Sequence, residues 1–251
     1  MIPIRDFVRK NEVFVVAHRG SSGTAPENTI AAFREAIDAG VSMIEMDIMF
    51  TSDNEIVAFH DIGQLTKMKD SDKEFSYKKL KKLDAGSWFD SRYKDERIPL
   101  FRDILKLVRD NVYLIVEIKT PDLELDEKMI SSVIDEIERY SGPDQVTLAS
   151  FNHKILAWVS ANKPDYPCAA IMLPGDPRLP FEIATTCGAD GFICSTEEIS
   201  DEIINNCKEH DLYSGVYSVD SKEELDRILQ YDVSAIATNY PAKILKLMDE
   251  R

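Results

Sequence analysis

Short apolar runs alternate with amphipathic stretches along almost the whole chain. Runs rich in Val, Ile and aromatic residues fall at 13–18 (VFVVAH), 43–49 (MIEMDIM), 113–119 (YLIVEIK), 146–151 (VTLASF), 168–173 (CAAIML), 191–195 (GFICS), 212–219 (LYSGVYSV) and 235–239 (AIATN). Most are apolar at odd and even positions alike, as strands covered on both faces are. Between them, apolar residues recur at helical spacing over 29–39, 126–140, 153–162, 200–210 and 221–230. Asn28 is placed to cap the first of these helices and Gly40 to stop it. Ser221-Lys222-Glu223-Glu224 is close to a capping box. Eight strands with interleaved helices in 251 residues predict an α/β fold, a (β/α)8 TIM barrel. A doubly wound open sheet would want a GxGxxG turn after the first strand, and HRGSSG at 18–23 lacks that spacing.

One stretch departs from the rhythm. After the second strand, Ser52-Asp53-Asn54-Glu55 has turn composition and is followed by IVAFH at 56–60, which predicts a hairpin above the barrel rim. A turn centred on Asp53-Asn54 sets His60 opposite Asp47. A polar insertion comes next, at approximately 62–100. Its 67–82 stretch carries seven lysines against Asp70, Asp72 and Glu74, and reads as a solvated face. The functional alternative is a substrate lid centred on Trp88 and Phe89. No linker or composition shift divides the chain, so residues 1–251 are expected to form one barrel domain carrying this insertion.

Composition narrows the class. With 44% hydrophobic and 30% charged residues, the chain is neither disordered nor a fibrous or disulfide scaffold. A net charge of −15 argues against nucleic acid and against broad contact with anionic membranes, although a small basic pocket remains compatible with it. Cys168, Cys187, Cys194 and Cys207 form no CxxC pair and read as buried free thiols of a reducing compartment. The opening MIPIRDFVRKNE is interrupted by charges and lacks the apolar core of a signal peptide. The longest apolar run, 13–17, is far too short to span a bilayer. The expectation is a cytoplasmic protein without stable membrane insertion. Homo-oligomerisation stays open.

Chemistry in such a barrel sits at the C-terminal ends of the strands. Those ends supply His18-Arg19, then Glu45 and Asp47, then Glu117 and Lys119, then Ser150-Phe151. Spacing by two places Glu45 with Asp47, and Glu117 with Lys119, on one face of a strand. Buried charges of that kind must be paired or bound to a metal. Three carboxylates suit a hard divalent cation, Mg²⁺ or Ca²⁺ with Mn²⁺ also fitting. Arg19 and Lys119 beside a cation suit a phosphate, and two histidines, His18 and His60, suit acid and base catalysis near neutral pH. Together these describe phosphodiester cleavage.

The chain resembles the glycerophosphodiester phosphodiesterase family. The resemblance lies in residues 15–61, which contain HRG, PENT, E-x-D and HD in that order. It continues in LDAGSWF (83–89), ERIPLFRDIL (96–105), VEIKT (116–120), ASF (149–151) and ATNYP (237–241). It implies the same barrel with a segment inserted after HD. It also implies a small-molecule glycerophosphodiester substrate cleaved to glycerol 3-phosphate and an alcohol. His18 and His60 would be the acid/base pair. Glu45, Asp47 and Glu117 would hold one divalent cation, and Arg19 and Lys119 would contact phosphate. Glu27 would support the site through Arg19. The route it suggests is attack by the substrate's own 2-hydroxyl. Two departures stand out. The family's Trp-Thr-Val-Asn is Tyr217-Ser218-Val219-Asp220 here, with Tyr217 still offering an aromatic wall. Its closing Thr-Asp-x-Pro is Thr238-Asn239-Tyr240-Pro241.

Plainer readings stand beside these. Lys119 can simply neutralise Glu117, and Asn28 is read as a helix cap only. Asp61 either orients His60 or caps the segment after it. Ser150 lacks a GxSxG elbow and is read as a site-wall residue. His153 and His210, on helix-like stretches, are read as structural. The alternative activities are those of lysophospholipase D and sphingomyelinase D types, which need an apolar approach for an acyl chain, or a non-catalytic phosphate-binding barrel. The charged insertion favours the water-soluble substrate.

Overall fold

A computed structural model describes residues 1–10, 13–61, 63, 75–120 and 126–251. The apolar runs form β1 (Phe14–His18), β2 (Met43–Phe50), β3 (Ile56–Ala58), β4 (Tyr113–Ile118), β5 (Val146–Ser150), β6 (Cys168–Ile171), β7 (Gly191–Ser195), β8 (Tyr213–Tyr217) and β9 (Ala235–Thr238). Among the described residues, eight of these pair in parallel in the cyclic order β1-β2-β4-β5-β6-β7-β8-β9 and back to β1. The sheet is therefore a closed (β/α)8 barrel, as the alternation predicts. β3 adds an antiparallel strand on β2.

The helices are α1 (Ile4–Lys10), α2 (Ile30–Asp38), α3 (Tyr77–Leu80), α4 (Phe101–Val108), α5 (Glu127–Tyr140), α6 (His153–Asn162), α7 (Pro180–Cys187), α8 (Asp201–Glu209), α9 (Lys222–Ile228) and α10 (Pro241–Asp249). Local chemistry sets their ends. Asp126, Asn152, Ser200 and Ser221 each accept from a backbone N–H of the first turn, and Ser221 with Glu224 closes the anticipated capping box. The cap of α2 differs from expectation. Thr29 accepts from Ala32 N, while Asn28 sits at φ 57 and points elsewhere.

The main core lies between barrel and helices. The outward-facing Leu114, Val116, Leu148, Phe192, Val216 and Ile236 are each at most 1% exposed. α1, absent from the sequence expectation, lies across the N-terminal end of the barrel. Its Ile4 is buried, and Phe7 packs on Phe14 and Tyr113 with ring centroids 5.2 and 4.5 Å apart. The four cysteines are buried and free, as expected. No helix among the described residues is long and apolar enough to cross a membrane.

The β2–β3 hairpin forms, but its register is one residue from the expected one. Ile48 pairs with Ala58 and Met49 with Val57, so Phe59, not His60, faces Asp47, and Phe59 N–H donates to Asp47 O. The turn tightens because Asn54 takes a left-handed φ of 61 and its N–H returns to Thr51 O. The described part of the insertion packs as a small core of its own, with Phe75, Leu80, Ala85, Ile98 and Leu100 against Met49, Val57 and Phe59. Trp88 meets Phe89 edge-on and donates to Ala85 O, so this pair serves the insertion's own packing. Lys67, Lys69, Lys73, Asp70, Asp72 and Glu74 lie outside the described residues.

Candidate active site

β1 ends on His18, and the chain then turns left-handed, with Arg19 at φ 57 and Gly20 at φ 77. A Cβ on Gly20 would stand 2.6 Å from the Ala32 carbonyl carbon, so the turn requires glycine there. Left-handed Arg19 is an uncommon, strained state for a residue with a side chain. That state lets Arg19 serve three acids at once. Its backbone N–H donates to Glu45 Oε2 at 2.9 Å, Nη1 meets Glu27 Oε2 at 2.8 Å, and Nε stands 3.0 Å from Asp47 Oδ2.

Strand register gathers the acids. His18 pairs with Glu45 across β1 and β2, and Asp47 with Glu117 across β2 and β4. Oxygens of Glu45, Asp47 and Glu117 lie within 4.8 Å of one another, all three residues buried. Lys119 Nζ stands 2.5 Å from Glu117 Oε1 and 3.3 Å from Asp47 Oδ1, and 5.3 Å from the centre of the Phe151 ring. Asn28, expected as a helix cap, instead holds Asp47. Its Nδ2 donates to Asp47 Oδ2 at 2.9 Å and its Oδ1 accepts from Asp47 N at 3.2 Å. A side chain that locks Asp47 from both ends is a positioning residue, and it is free for this because Thr29 caps the helix.

Burial and charge set the ionisation of the cluster. Burial, then Asp47 and Glu117, push Glu45 well above the usual carboxylate range. Burial and the neighbouring Asp47 raise Glu117 to about 7, against the pull of Lys119. Burial would raise Asp47 too, but Arg19, Lys119, His60 and the Asn28 hydrogen bond together hold it below its ordinary value. Glu45 Oε1 is buried with no hydrogen-bond partner. Three acids that share two cations, one of their oxygens orphaned, fit a hard divalent cation bound by oxygen.

His18 Nδ1 lies 2.8 Å from Asn239 Oδ1, which also accepts from Ser22 Oγ at 2.7 Å. Asn239 is itself fixed: its Nδ2 donates to Asp220 Oδ2 at 2.6 Å and its backbone N–H to Asp220 Oδ1 at 2.8 Å. With the amide nitrogen spent on Asp220, the oxygen faces His18, so Nδ1 carries the proton and Nε2 presents a lone pair, 3.9 Å from Glu45 Oε2. Burial, then Arg19, lower the His18 pKa and keep the ring neutral. His60 reaches the site although the ladder ends at Ala58, and its Nδ1 lies 2.7 Å from Asp61 Oδ2. Asp61 thus orients His60, which separates the two roles left open for it.

One cavity of about 400 Å³ includes His18, Arg19, Glu45, His60, Glu117 and Lys119 in its wall, with Phe151 and Tyr217. The Tyr217 ring lies 6.4 Å from that of His18, and burial raises its hydroxyl to about 12. No described residue of the insertion lines this cavity. Ser150 does not line it either. Its hydroxyl donates to Ile118 O and accepts from Asn152 N, because alternation turns it outward between Ala149 and Phe151. His153 bonds Ile171 O and His210 stacks on Phe181, both away from the site. Asn239 and Asp220 are visible in the sequence only as two separate departures from the family pattern. Treating the end of the last strand as a site position, like the ends of the first four, would find Asn239.

Three comparisons bear on this geometry. Residues 18–243 match the model of the glycerophosphoryl diester phosphodiesterase family. A glycerophosphodiester phosphodiesterase of Caldanaerobacter subterraneus subsp. tengcongensis is 31% identical over 245 residues, covering 94% of this chain and 98% of the relative. One of Bacillus subtilis is 28% identical over 250 residues, covering 92% and 85%. Among solved structures, an Oleispira antarctica phosphodiesterase in complex with its product sn-glycerol-3-phosphate superposes with a TM-score of 0.87 at 25% identity, over 94% of this chain and 96% of that one. With the family model running from His18 at the first strand's end to Lys243 in the last helix, the chain belongs to the glycerophosphoryl diester phosphodiesterase family and is a phosphoric diester hydrolase.

Proposed function

We propose that this chain hydrolyses glycerophosphodiesters to glycerol 3-phosphate and an alcohol, with His18 and His60 as the base and acid and one divalent cation held by Glu45, Asp47 and Glu117. The observation that carries this reading is that both histidines, Glu45, Glu117 and the two cationic side chains open onto one cavity, with Asp47 buried behind them. When bound, the cation supplies positive charge against the phosphoryl oxygens. Arg19 and Lys119, each already tied to the acids, add fixed positive charge at the same place.

The tautomer of His18 decides its part. Nε2 takes the proton of the substrate's 2-hydroxyl as that oxygen bonds to phosphorus. His60 gives a proton to the departing headgroup oxygen as its bond to phosphorus breaks. A cyclic phosphate forms, and water opens it with the two rings exchanging roles. Closure of a five-membered ring on phosphorus gains from proximity, by up to about 7–11 kcal/mol in well-oriented cases. The direct alternative, attack by water, needs no 2-hydroxyl. Turnover of glycerophosphocholine against its 2-deoxy analogue, with ³¹P NMR for the cyclic species, separates the two. Comparable kcat/KM and no cyclic signal would mean that water attacks directly. No turnover of any glycerophosphodiester would end the reading altogether. The reading treats 1–251 as one functional domain, and the four buried free thiols support a cytoplasmic setting for it.

A further inference from the structure

No described residue of the 62–100 insertion lines the cavity, yet its return arm holds the loop that builds the site. Residues 19–29 run from the end of β1 to the start of α2 and carry Arg19, Glu27 and Asn28. Arg19 and Asn28 are both left-handed at φ 57, a state that a residue with a side chain keeps only where its surroundings impose it. They are also bonded to each other, Asn28 N–H to Arg19 O at 3.1 Å, so the loop is closed at its base. Both then bear on Asp47, Arg19 through Nε and Asn28 through Nδ2. A shift of the loop therefore moves two partners of one buried acid at once.

The loop's outer tip is fastened from the insertion. Arg92 Nη2 donates to Thr24 O at 2.9 Å, and Tyr93 Oη lies 2.9 Å from the same carbonyl and 2.5 Å from Glu35 Oε1. Glu35, on α2, accepts from Thr24 Oγ1 with its other oxygen at 2.8 Å, so one carboxylate joins loop, helix and insertion. Burial and the Glu35 hydrogen bond raise the Tyr93 hydroxyl to about 12, which keeps its proton in this bond. Tyr93 is itself set. Phe89 meets it edge-on at 6.0 Å, the Arg92 guanidinium stands 4.6 Å over its ring, and a Cβ on Gly86 would collide with its carbonyl oxygen. Three residues on, Glu96 Oε2 accepts from Ala31 N–H at 3.2 Å and so serves the first turn of α2, just beyond Asn28. On the far side, Gly23 N–H donates to Asn239 O at 2.8 Å, so the loop is gripped between the last strand's end and the insertion. We propose that Arg92, Tyr93 and Glu96 are positioning residues for the reaction, holding the 19–29 loop, through Thr24 and α2, in the left-handed state that sets Arg19 and Asn28 on Asp47. This rests on the phosphodiesterase reading and gives the insertion a part in it without contact with substrate.

The test uses single substitutions in the full chain. Tyr93→Phe keeps the ring and its packing on Phe89, and should lower kcat about tenfold with KM little changed, since displacement by a full ångström costs about a hundredfold. Calorimetric titration of Mg²⁺ into the same variant, without substrate, should show affinity about tenfold weaker, because the loop orients the partners of the acids. Glu35→Ala should act alike, and Glu35→Gln, which still accepts from Tyr93, should recover most of the loss. Tyr113→Phe is the matched control. It loses a hydroxyl bond to Ile2 O of 2.7 Å at the other end of the barrel and should change neither reading. Equal losses in Tyr113→Phe would mean that the insertion merely stabilises the fold, and would overturn the proposal. So would wild-type kcat and Mg²⁺ affinity in Tyr93→Phe and Glu35→Ala, or in Arg92→Ala should those two fail to fold. If the unaltered chain hydrolyses no glycerophosphodiester, the proposed function falls by itself. Weakened Mg²⁺ binding in Tyr93→Phe would then still uphold the clamp, and unchanged binding would sink both.

Discussion

The two sides of the barrel mouth obey opposite rules. From β1 to β4 the inward positions carry Glu45, Asp47, Glu117 and Lys119, held by Arg19, Glu27 and Asn28 in a closely bonded cluster. From β5 to β9 they carry alanine, glycine and aliphatic side chains, with the aromatic rings of Phe151, Tyr213 and Tyr217, and no acid. On the charged side every group depends on its neighbours, since a buried ion without a partner is costly. The apolar side depends on nothing inside the barrel. It is kept open by what packs outside it and by α1 across its end. Alteration on the first side should therefore be felt in chemistry.

The largest expected effect is on the acids. Chelation should abolish turnover, and Mg²⁺, Mn²⁺ or Ca²⁺ should restore it. Full activity of a Glu45→Ala protein in chelator would remove the cation from the account. Next come the histidines. His18→Ala and His60→Ala should each lower kcat by roughly 10²–10⁴, with KM changing much less. A p-nitrophenol leaving group needs little protonation, so it should rescue His60→Ala and not His18→Ala. The reverse pattern would exchange their roles.

A smaller effect is expected from Asn239, which touches His18 but not the cavity wall. Asn239→Asp sets a second carboxylate against Asp220, where a 2.6 Å hydrogen bond now stands, and should lower kcat about 10–100-fold through misplacement of His18. Combining it with Asp220→Asn restores an amide–carboxylate pair and should recover most of the loss. A double variant no better than the single one would show that the pair merely packs.

The smallest effect is on stability. Glu117 is raised from 4.5 to about 7, so between those values the folded state binds more protons than the unfolded one. Stability in chelator should then fall as pH rises from about 4.5 through 7, by an order of 3 kcal/mol for this group alone. Thermal melts of Glu117→Gln should lack that part of the decline. Identical pH profiles for both proteins would show that Glu117 is not the strained acid.

Much of this is legible in the sequence. The strands, their alternation with helices and the acids spaced by two follow from local patterns that depend on near neighbours in the chain. So do HRG, PENT, E-x-D and HD, whose order alone carries the family resemblance. Asn28 escapes such a reading because a cap and a buried hydrogen-bonding partner present the same residue at a helix start. Ser150 is misplaced by it because a strand's last residues look alike until alternation is anchored to one face. The hairpin slips by one residue because turn composition locates a turn without setting its register.

What sequence alone determined is the barrel, the end of it that does chemistry and the residue types gathered there, since each rests on short-range periodicity and on charges that must be compensated. Tertiary structure decided the rest. Ladder register set Asp47 beside Glu117, and a bend beyond the end of β3 brought His60 into the site. Asn239 and Asp220, 19 residues apart, became one support for His18 only when the barrel closed. The apolar side of the barrel's cavity is likewise a sum over five strands and the helix beneath them. A void belongs to no residue, so it cannot be read from any one of them.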